Sequence, residues 1–429
     1  MTSPANAFAS ALRGSLVIGW GPAAVVTTLL SGAPLHAQTA PTTPPSNQPA
    51  QQQQQQPTAR RGIGQLGQTS IFDNVFNPAI SLSADFAAVG STQRETTETA
   101  NRFHLRSVEL GVVGRVDPLL SYQLYLHFDE HVAEVEEAFV LADNWLPDTF
   151  QLKAGRFNLD FGKLSPLHDH DLLLLDKPQV LQEYLGGSLR GTGLELHHWF
   201  PLGDYQLVRW SVGACNSLDG DAHSTFGPAS GHHHEDDDGP THLGGNEAEN
   251  LAVHGRASLL LELGTRTTVQ LGISGAWAPE IRFSYDNGSG TRTRSLRRGL
   301  LGADVSIKHL DPGTGQGTTF VAEVLLSRKD TFDTTTETRS TVESTGFYAL
   351  LEHSLGQRWT LGASGGKFGH AETEGLDSWD AGIYSTWHVD EFNRLRLEGR
   401  RFDDPDQSYW GFTLQWTIIL GSHGHGIDW

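Results

Sequence analysis

The segment HHHEDDDGPTH, His232 to His242, sets three imidazoles beside a run of carboxylates and then returns to a fourth imidazole. Imidazole with carboxylate suits zinc, nickel or copper. His232, His233, His234, Glu235, Asp236 and His242 are therefore candidate metal ligands. Zinc is the favoured ion, loop-bound or transported, and no other cofactor is required. From Asn216 to Asn250 there are eight acidic residues, five histidines and no lysine or arginine. The competing readings are a negative vestibule that concentrates cations and a merely solvated loop. A second cluster is HDHD, His168 to Asp171. In extended chain His168 and His170 share one side, and Asp169 and Asp171 the other. Two imidazoles and a nearby carboxylate could hold a divalent ion. The blander reading is turn capping, or pairing with Lys163, Lys177 or Arg190. His127 with Asp129 could mimic a catalytic dyad, with Ser121 as a distant nucleophile. No nucleophile motif accompanies them, so no catalytic residue is assigned.

These residues need elements to position them, and one pattern recurs from Ile80 onward: apolar and polar residues alternate with period two. In LAVHGRASLLLEL, Leu251, Val253, Ala257, Leu259 and Leu261 lie on one face, with His254, Arg256 and Ser258 on the other. Sixteen such runs are predicted, at 78–90, 103–117, 119–130, 133–143, 148–157, 192–200, 204–215, 250–263, 266–279, 297–310, 316–328, 342–354, 358–369, 377–389, 392–402 and 408–420. Most exceed the ~5–6 residues of an ordinary globular strand and match the ~9–11 of a tilted membrane-spanning one. The connections alternate short and long; the long ones are 158–191, 216–249, 280–296 and 329–341, and the short 130–133 breaks the alternation. In hydrocarbon every backbone N–H and C=O must pair within the protein, which a closed barrel achieves without helices. The fold expected is all-β: a transmembrane antiparallel β-barrel of about sixteen strands with short periplasmic turns and long extracellular loops. A soluble sandwich would have shorter strands and less regular loops.

Composition agrees. Hydrophobic residues are 38% of the 429, below the ~45–50% of a soluble domain. The net charge of −20 excludes nucleic acid as a partner. The one cysteine, Cys215, excludes an internal disulfide. Residues 1–37, with Arg13 before an apolar stretch from Ser15 to Leu30 and small Ala37 at the end, predict an export signal. Residues 38–77 predict a disordered Pro/Gln-rich periplasmic leader, and 78–429 the barrel. Cleavage after Ala37 leaves 29 basic and 50 acidic residues. The predicted location is the outer membrane of a Gram-negative cell.

Once the faces are assigned, inward residues can be named. Arg394, Arg396, Glu398 and Arg400 alternate with Leu395 and Leu397. Asp304 and Lys308, Asp380, Tyr384 and His388, and Gln123, Tyr125, His127 and Asp129 fall on the polar faces of their strands. Arginines facing carboxylates set a transverse field that selects among solutes, and sixteen strands leave room for a water channel. The connection 158–191 carries Leu172 to Leu175, four leucines costly to expose, and is expected to fold inward or against the rim. His168, Asp169, His170 and Asp171 would then lie at a constriction. Arg282, Arg292, Arg294, Arg297 and Arg298 could pair with the acidic segment or contact lipopolysaccharide. The function expected is passive diffusion of small hydrophilic solutes and ions, biased toward cations and extending to zinc, through a barrel set in outer-membrane lipid, with a homotrimer as a candidate assembly. The alternatives are an anion- or phosphate-selective porin, and a plugged barrel with a hydrolytic or adhesive role.

The stretch EEAFVLADNWLPDTFQLKAGRFNLDFGKL, Glu136 to Leu164, resembles the porin superfamily that includes the phosphate-selective porins. An acidic pair opens a strand there, and KAGRF leads through DFG into a long loop. DKPQV and EYLGGSLRGTGLEL, within Asp176 to Leu196, are similar to a set of barrels labelled zinc-regulated or TonB-dependent outer-membrane receptors. The resemblance spans roughly residues 78–429 and implies a porin-like barrel and a link to metal. Two features depart from it. The segment before the first strand is too short for a receptor plug, and the acidic balance does not match a phosphate-binding ladder of cations.

Overall fold

The computed structural model describes residues 78–93, 101–142, 145–147, 149–219, 224–227, 250–286 and 290–421. The export signal and leader, the segment holding His232, His233, His234, Glu235, Asp236 and His242, and the chain end with His423 and His425 lie outside the described residues.

Sixteen antiparallel strands close on themselves. They are β1 (79–91), β2 (102–115), β3 (120–128), β4 (133–142), β5 (150–158), β6 (190–203), β7 (206–219), β8 (252–263), β9 (267–286), β10 (291–311), β11 (316–333), β12 (338–354), β13 (359–369), β14 (377–388), β15 (393–403) and β16 (408–421). Each pairs with its sequence neighbour, and β1 pairs with β16 from Ser81 opposite Gly421 to Ser91 opposite Gly411. Closure leaves no open sheet edge, the condition a strand structure must meet in lipid. Among the described residues the one α-helix, α1 (Gln179–Leu185), lies in the connection from β5 to β6.

The predicted alternation is the in–out alternation of the barrel wall. On β15, Arg396, Glu398 and Arg400 are buried inward while Leu397 is 59% exposed outward. On β14, Asp380 and Tyr384 are buried and Ile383 is 71% exposed. Outward tryptophans mark both rims: Trp379 and Trp410 near one, Trp359 stacked on Trp387 at 5.9 Å near the other. An apolar band between aromatic girdles is the surface a bilayer requires.

Two expected long connections are strand instead. The segments 280–296 and 329–341 continue β9 and β10 to Asp286 and Thr291, and β11 and β12 to Asp333 and Thr338. Beyond the apolar band both faces of a hairpin are polar, so Thr, Ser and Arg alternate without hydrophobic contrast. Cross-strand contacts hold these extensions. Tyr285 packs on Phe332 at 5.3 Å, and the Arg294 guanidinium lies over both rings. Asp330 accepts from the Arg297 amide at 3.0 Å and from Thr341 Oγ1 at 2.7 Å. Arg282 pairs with Glu280 at 2.9 Å and Arg292 with Glu337 at 3.3 Å, while Arg298 is buried inside.

Candidate functional site

The connection from β5 to β6, residues 159–189, enters the barrel. It is too apolar to stay in water: Leu159, Phe161, Leu164, Leu172, Leu174, Leu175, Val180, Leu181, Leu185 and Leu189 are all buried to 2% exposure or less. Each such side chain contributes about 1.5–3 kcal/mol when covered. Glycines shape its course. Gly162 adopts φ +66°, and Gly186, also at +66°, ends α1. The Gly186 amide donates to Gln182 O at 2.9 Å and that of Gly187 to Leu181 O at 3.1 Å. This is a left-handed helix cap, where a side chain would be strained.

Polar contacts then fasten the loop to both walls. On one side the Asp160 amide donates to Glu195 Oε2 at 3.1 Å, the Gly162 amide to Ser274 Oγ at 3.0 Å, and Lys163 Nζ to Gln270 Oε1 at 2.9 Å. The Asp160 carboxylate takes Ser211 Oγ at 2.8 Å and Arg209 at 3.0 Å, with Arg256 at 3.8 Å. Burial alone would raise the Asp160 pKa, but Arg209 and Arg256 hold it below the ordinary aspartate value. Across the lumen Arg396 Nη2 donates to Leu172 O at 3.0 Å and Nη1 to Leu174 O. Arg106 reaches Leu175 O at 3.3 Å and pairs with Asp176. At the far end of α1, Tyr184 donates to Gly369 O at 2.8 Å, and Glu183 accepts from the Ala371 amide at 2.6 Å. Lys177, pushed down to about 8 by burial, donates to Ser165 O at 2.8 Å.

His168 stands where the loop meets β2 and β4. Its Nδ1 lies 2.9 Å from Glu109 Oε2 and 3.5 Å from Glu136 Oε2, and its Nε2 lies 3.0 Å from Glu137 Oε2. Burial opposes the imidazolium, yet Glu109 and Glu136 outweigh it and raise the His168 pKa well above the usual imidazole range. His170 is buried beside Ser83 Oγ at 3.3 Å, 3.8 Å from Glu109. Asp169 is exposed and Asp171 half-buried in the same short turn.

Beside the loop a cavity of about 290 Å³ opens between β3 and β9. Lys153, Lys163, Arg209 and Arg256 line it together with Glu137, Asp160 and Asp171. Behind these groups Glu195, fully buried, gathers His197 and His254 at 2.8 Å each and Lys153 at 3.5 Å. Arg256 holds Asp304 through two hydrogen bonds at 2.6 and 2.9 Å. Burying ion pairs of this kind adds little net stability; it fixes charge in place.

The other residues named from sequence are dispersed. Arg400 pairs with Asp380 and with Glu398 at 2.9 Å. Arg394 and His388 are half-buried and Lys308 is exposed, all toward the rim of short turns. Asp129 lies in the connection from β3 to β4, accepting the His131 and Val132 amides at 2.6 Å each, with His127 at 3.8 Å. Ser121 sits roughly 20 Å from His127 along β3, at ~3.3 Å per residue, so these three do not meet. Glu109, Glu195, Arg209 and Lys153 were not singled out from sequence. Their signal was present in the polar positions of the alternation, but alternation cannot say which polar positions the loop will meet.

No protein-family model matches the chain. An uncharacterized protein of Aquifex aeolicus (strain VF5) is 25% identical over 384 residues, covering 81% of this chain and 79% of that protein. Among solved structures, a loop L8 deletion mutant of OmpT, an outer membrane protein of Vibrio cholerae, aligns with a TM-score of 0.51 at 8% identity. It covers 81% of this chain and 100% of that one. Outer-membrane expressed OmpT of Vibrio cholerae aligns with a TM-score of 0.50 at 8% identity, over 81% and 98% of the two chains. These likenesses are of fold.

Proposed function

We propose that this chain forms an outer-membrane channel for passive diffusion of small hydrophilic solutes and ions. The observation that carries the reading is a closed sixteen-stranded wall, apolar outside and charged inside, into which the β5–β6 loop folds beside a cavity with charge of both signs. A barrel of this strand number is too wide for wall side chains alone to fill, and the loop narrows it without replacing its polar lining. Outer-membrane lipid and lipopolysaccharide would surround the exposed leucines and tryptophans.

Selectivity has two supports that point in opposite directions. The net charge of −20 and the acidic composition of the segment from Asn216 to Asn250 favour cation enrichment, with divalent metal included. The lining Lys153, Lys163, Arg209 and Arg256 favours anions inside the cavity. We take the cation-biased reading as the first, because long-range charge governs entry. Planar-bilayer recording with a salt gradient tests both. Ohmic steps whose reversal potential has the cation sign support the first reading, and the anion sign supports the second. Silence from refolded protein at high load would overturn both.

A further inference from the structure

We propose that Glu109, Glu136 and His168 form a binding site for one divalent transition-metal ion, with zinc the fitting probe, where the inward loop meets the barrel wall. The three come from β2, β4 and the loop, and one ligand atom from each lies within 4.8 Å of the others. Two edges of that triangle, 2.9 and 3.5 Å from His168 Nδ1, bracket the edge of a zinc polyhedron, roughly 3.3 Å for bonds of ~2.0–2.1 Å. Two carboxylates and one imidazole match the charge of a divalent ion and the borderline donors that zinc accepts.

Two further features are those of a built metal site. First, Glu136 and Glu137 are adjacent on a strand, so regular pleating would aim them at opposite faces. Instead the β3–β4 register shifts there: Tyr125 pairs with Glu137 and Leu126 with Val135, leaving Glu136 as the extra residue of a bulge. Bulges re-aim side chains, and this one brings both carboxylates to the same histidine. Second, the ring nitrogen of His168 turned away from Glu109 and Glu136 meets Glu137 at 3.0 Å. Glu137 is itself fixed by the Asn158 amide at 2.6 Å. A metal-bound histidine characteristically has a carboxylate on its other nitrogen, which sets its orientation and basicity. The Tyr125 ring, 4.8 Å from that of His168, holds the imidazole from one face. Of the two histidines in HDHD, the geometry selects His168; His170 turns to Ser83.

His168 and its partner Glu137 line the cavity, which gives an ion in transit access to the histidine side of the site. That access rests on the channel reading; binding itself does not. The test is zinc titration of purified, detergent-folded protein against a competing chelator. The background carries alanine at His232, His233, His234, His242, His423 and His425, which removes the histidine-rich segments. One zinc per chain is expected, weakened about tenfold or more by Glu109→Gln or Glu136→Gln, and ~10–100-fold by Glu137→Gln. Zinc absorption spectroscopy on the unmutated site adds a reading that needs no folded variant: one imidazole nitrogen with oxygen for the rest. No saturable binding in that background, affinity indifferent to the glutamine substitutions, or two or more imidazoles on the ion would overturn the site. Zinc binding by protein silent in bilayers would keep the site and remove the channel. Conducting protein that binds no zinc would do the reverse.

Discussion

Arg396, on β15, reaches across the lumen to donate to the carbonyl of Leu172 at 3.0 Å, while the same guanidinium also holds Leu174 O. An inward loop with its backbone carbonyls facing the far wall has to satisfy them there, since buried acceptors without donors cost about 1–3 kcal/mol each. Replacing Arg396 with Met keeps the apolar stem and removes the donors. The expected result is a barrel that still folds, shown by heat-modifiable migration on gels, with a loop that is cut faster by protease and a channel whose current is noisier or larger. Identical proteolysis and conductance would show that the loop does not depend on this anchor.

At the loop's other root the sign of the pH dependence follows from Asp160. Its carboxylate pKa is held below the ordinary value by Arg209 and Arg256. A depressed carboxylate contributes its stabilisation in full above the unfolded pKa, ~3.9, and loses it as pH falls through the lower folded value. The share of protease protection of residues 159–189 that Asp160 supplies should therefore be constant from neutral pH down to about 4 and fall only in stronger acid. Asp160→Asn should lose protection at every pH, because Arg209 loses the carboxylate it holds at 3.0 Å, while Arg256 keeps Asp304. A loss centred between pH 5 and 7 in the unmutated protein would point to a different group.

The wall and the site were legible to different degrees, for a physical reason. Alternation around Leu397 and Ile383 is imposed by two solvents on one strand, so every membrane-crossing run carries it locally. Past the apolar band that contrast ends. Residues 280–296 and 329–341 therefore read as loop although Tyr285, Arg294 and Phe332 pair them as strand. The four leucines from Leu172 plainly required cover, but its source, a cross-lumen arginine and the packing of α1, depends on contacts distant in sequence. The partners of His168 were least accessible. Regular pleating places Glu136 and Glu137 on opposite faces, and only the bulge between β3 and β4 brings them together.

Gly162 tests how tightly the loop seats. Its φ of +66° disfavours any side chain, by ~1–2 kcal/mol. A Cβ there would also stand 2.3 Å from Glu323 Oε1, and Glu323 is held by the Tyr348 hydroxyl at 2.8 Å. Gly264, in a short turn at φ +73°, has nothing within 4 Å of its Cβ position. Gly264→Ala thus reports the backbone penalty alone, and Gly162→Ala the penalty plus the clash. Unfolding midpoints in detergent should fall further for Gly162→Ala. Equal shifts would mean that Glu323 yields freely and the seat is loose.

The outward face makes the last prediction, and it tests the membrane directly. Ile383 is 71% exposed and lies mid-strand on β14, opposite Gly399 on β15 and Ala363 on β13, with Leu397 exposed nearby at 59%. In water an exposed isoleucine can become arginine almost without effect. At the centre of a bilayer the same change costs about 2–4 kcal/mol, declining to ~0–1 kcal/mol near the interface. Arginine at 383 should therefore lower folding stability in lipid vesicles by roughly that amount. Arginine in place of exposed Val389, in the turn after β14, should have little effect. The depth difference, measured by reversible denaturant titration into vesicles, is the readout. If both substitutions were neutral, the exposed apolar band would not be facing hydrocarbon.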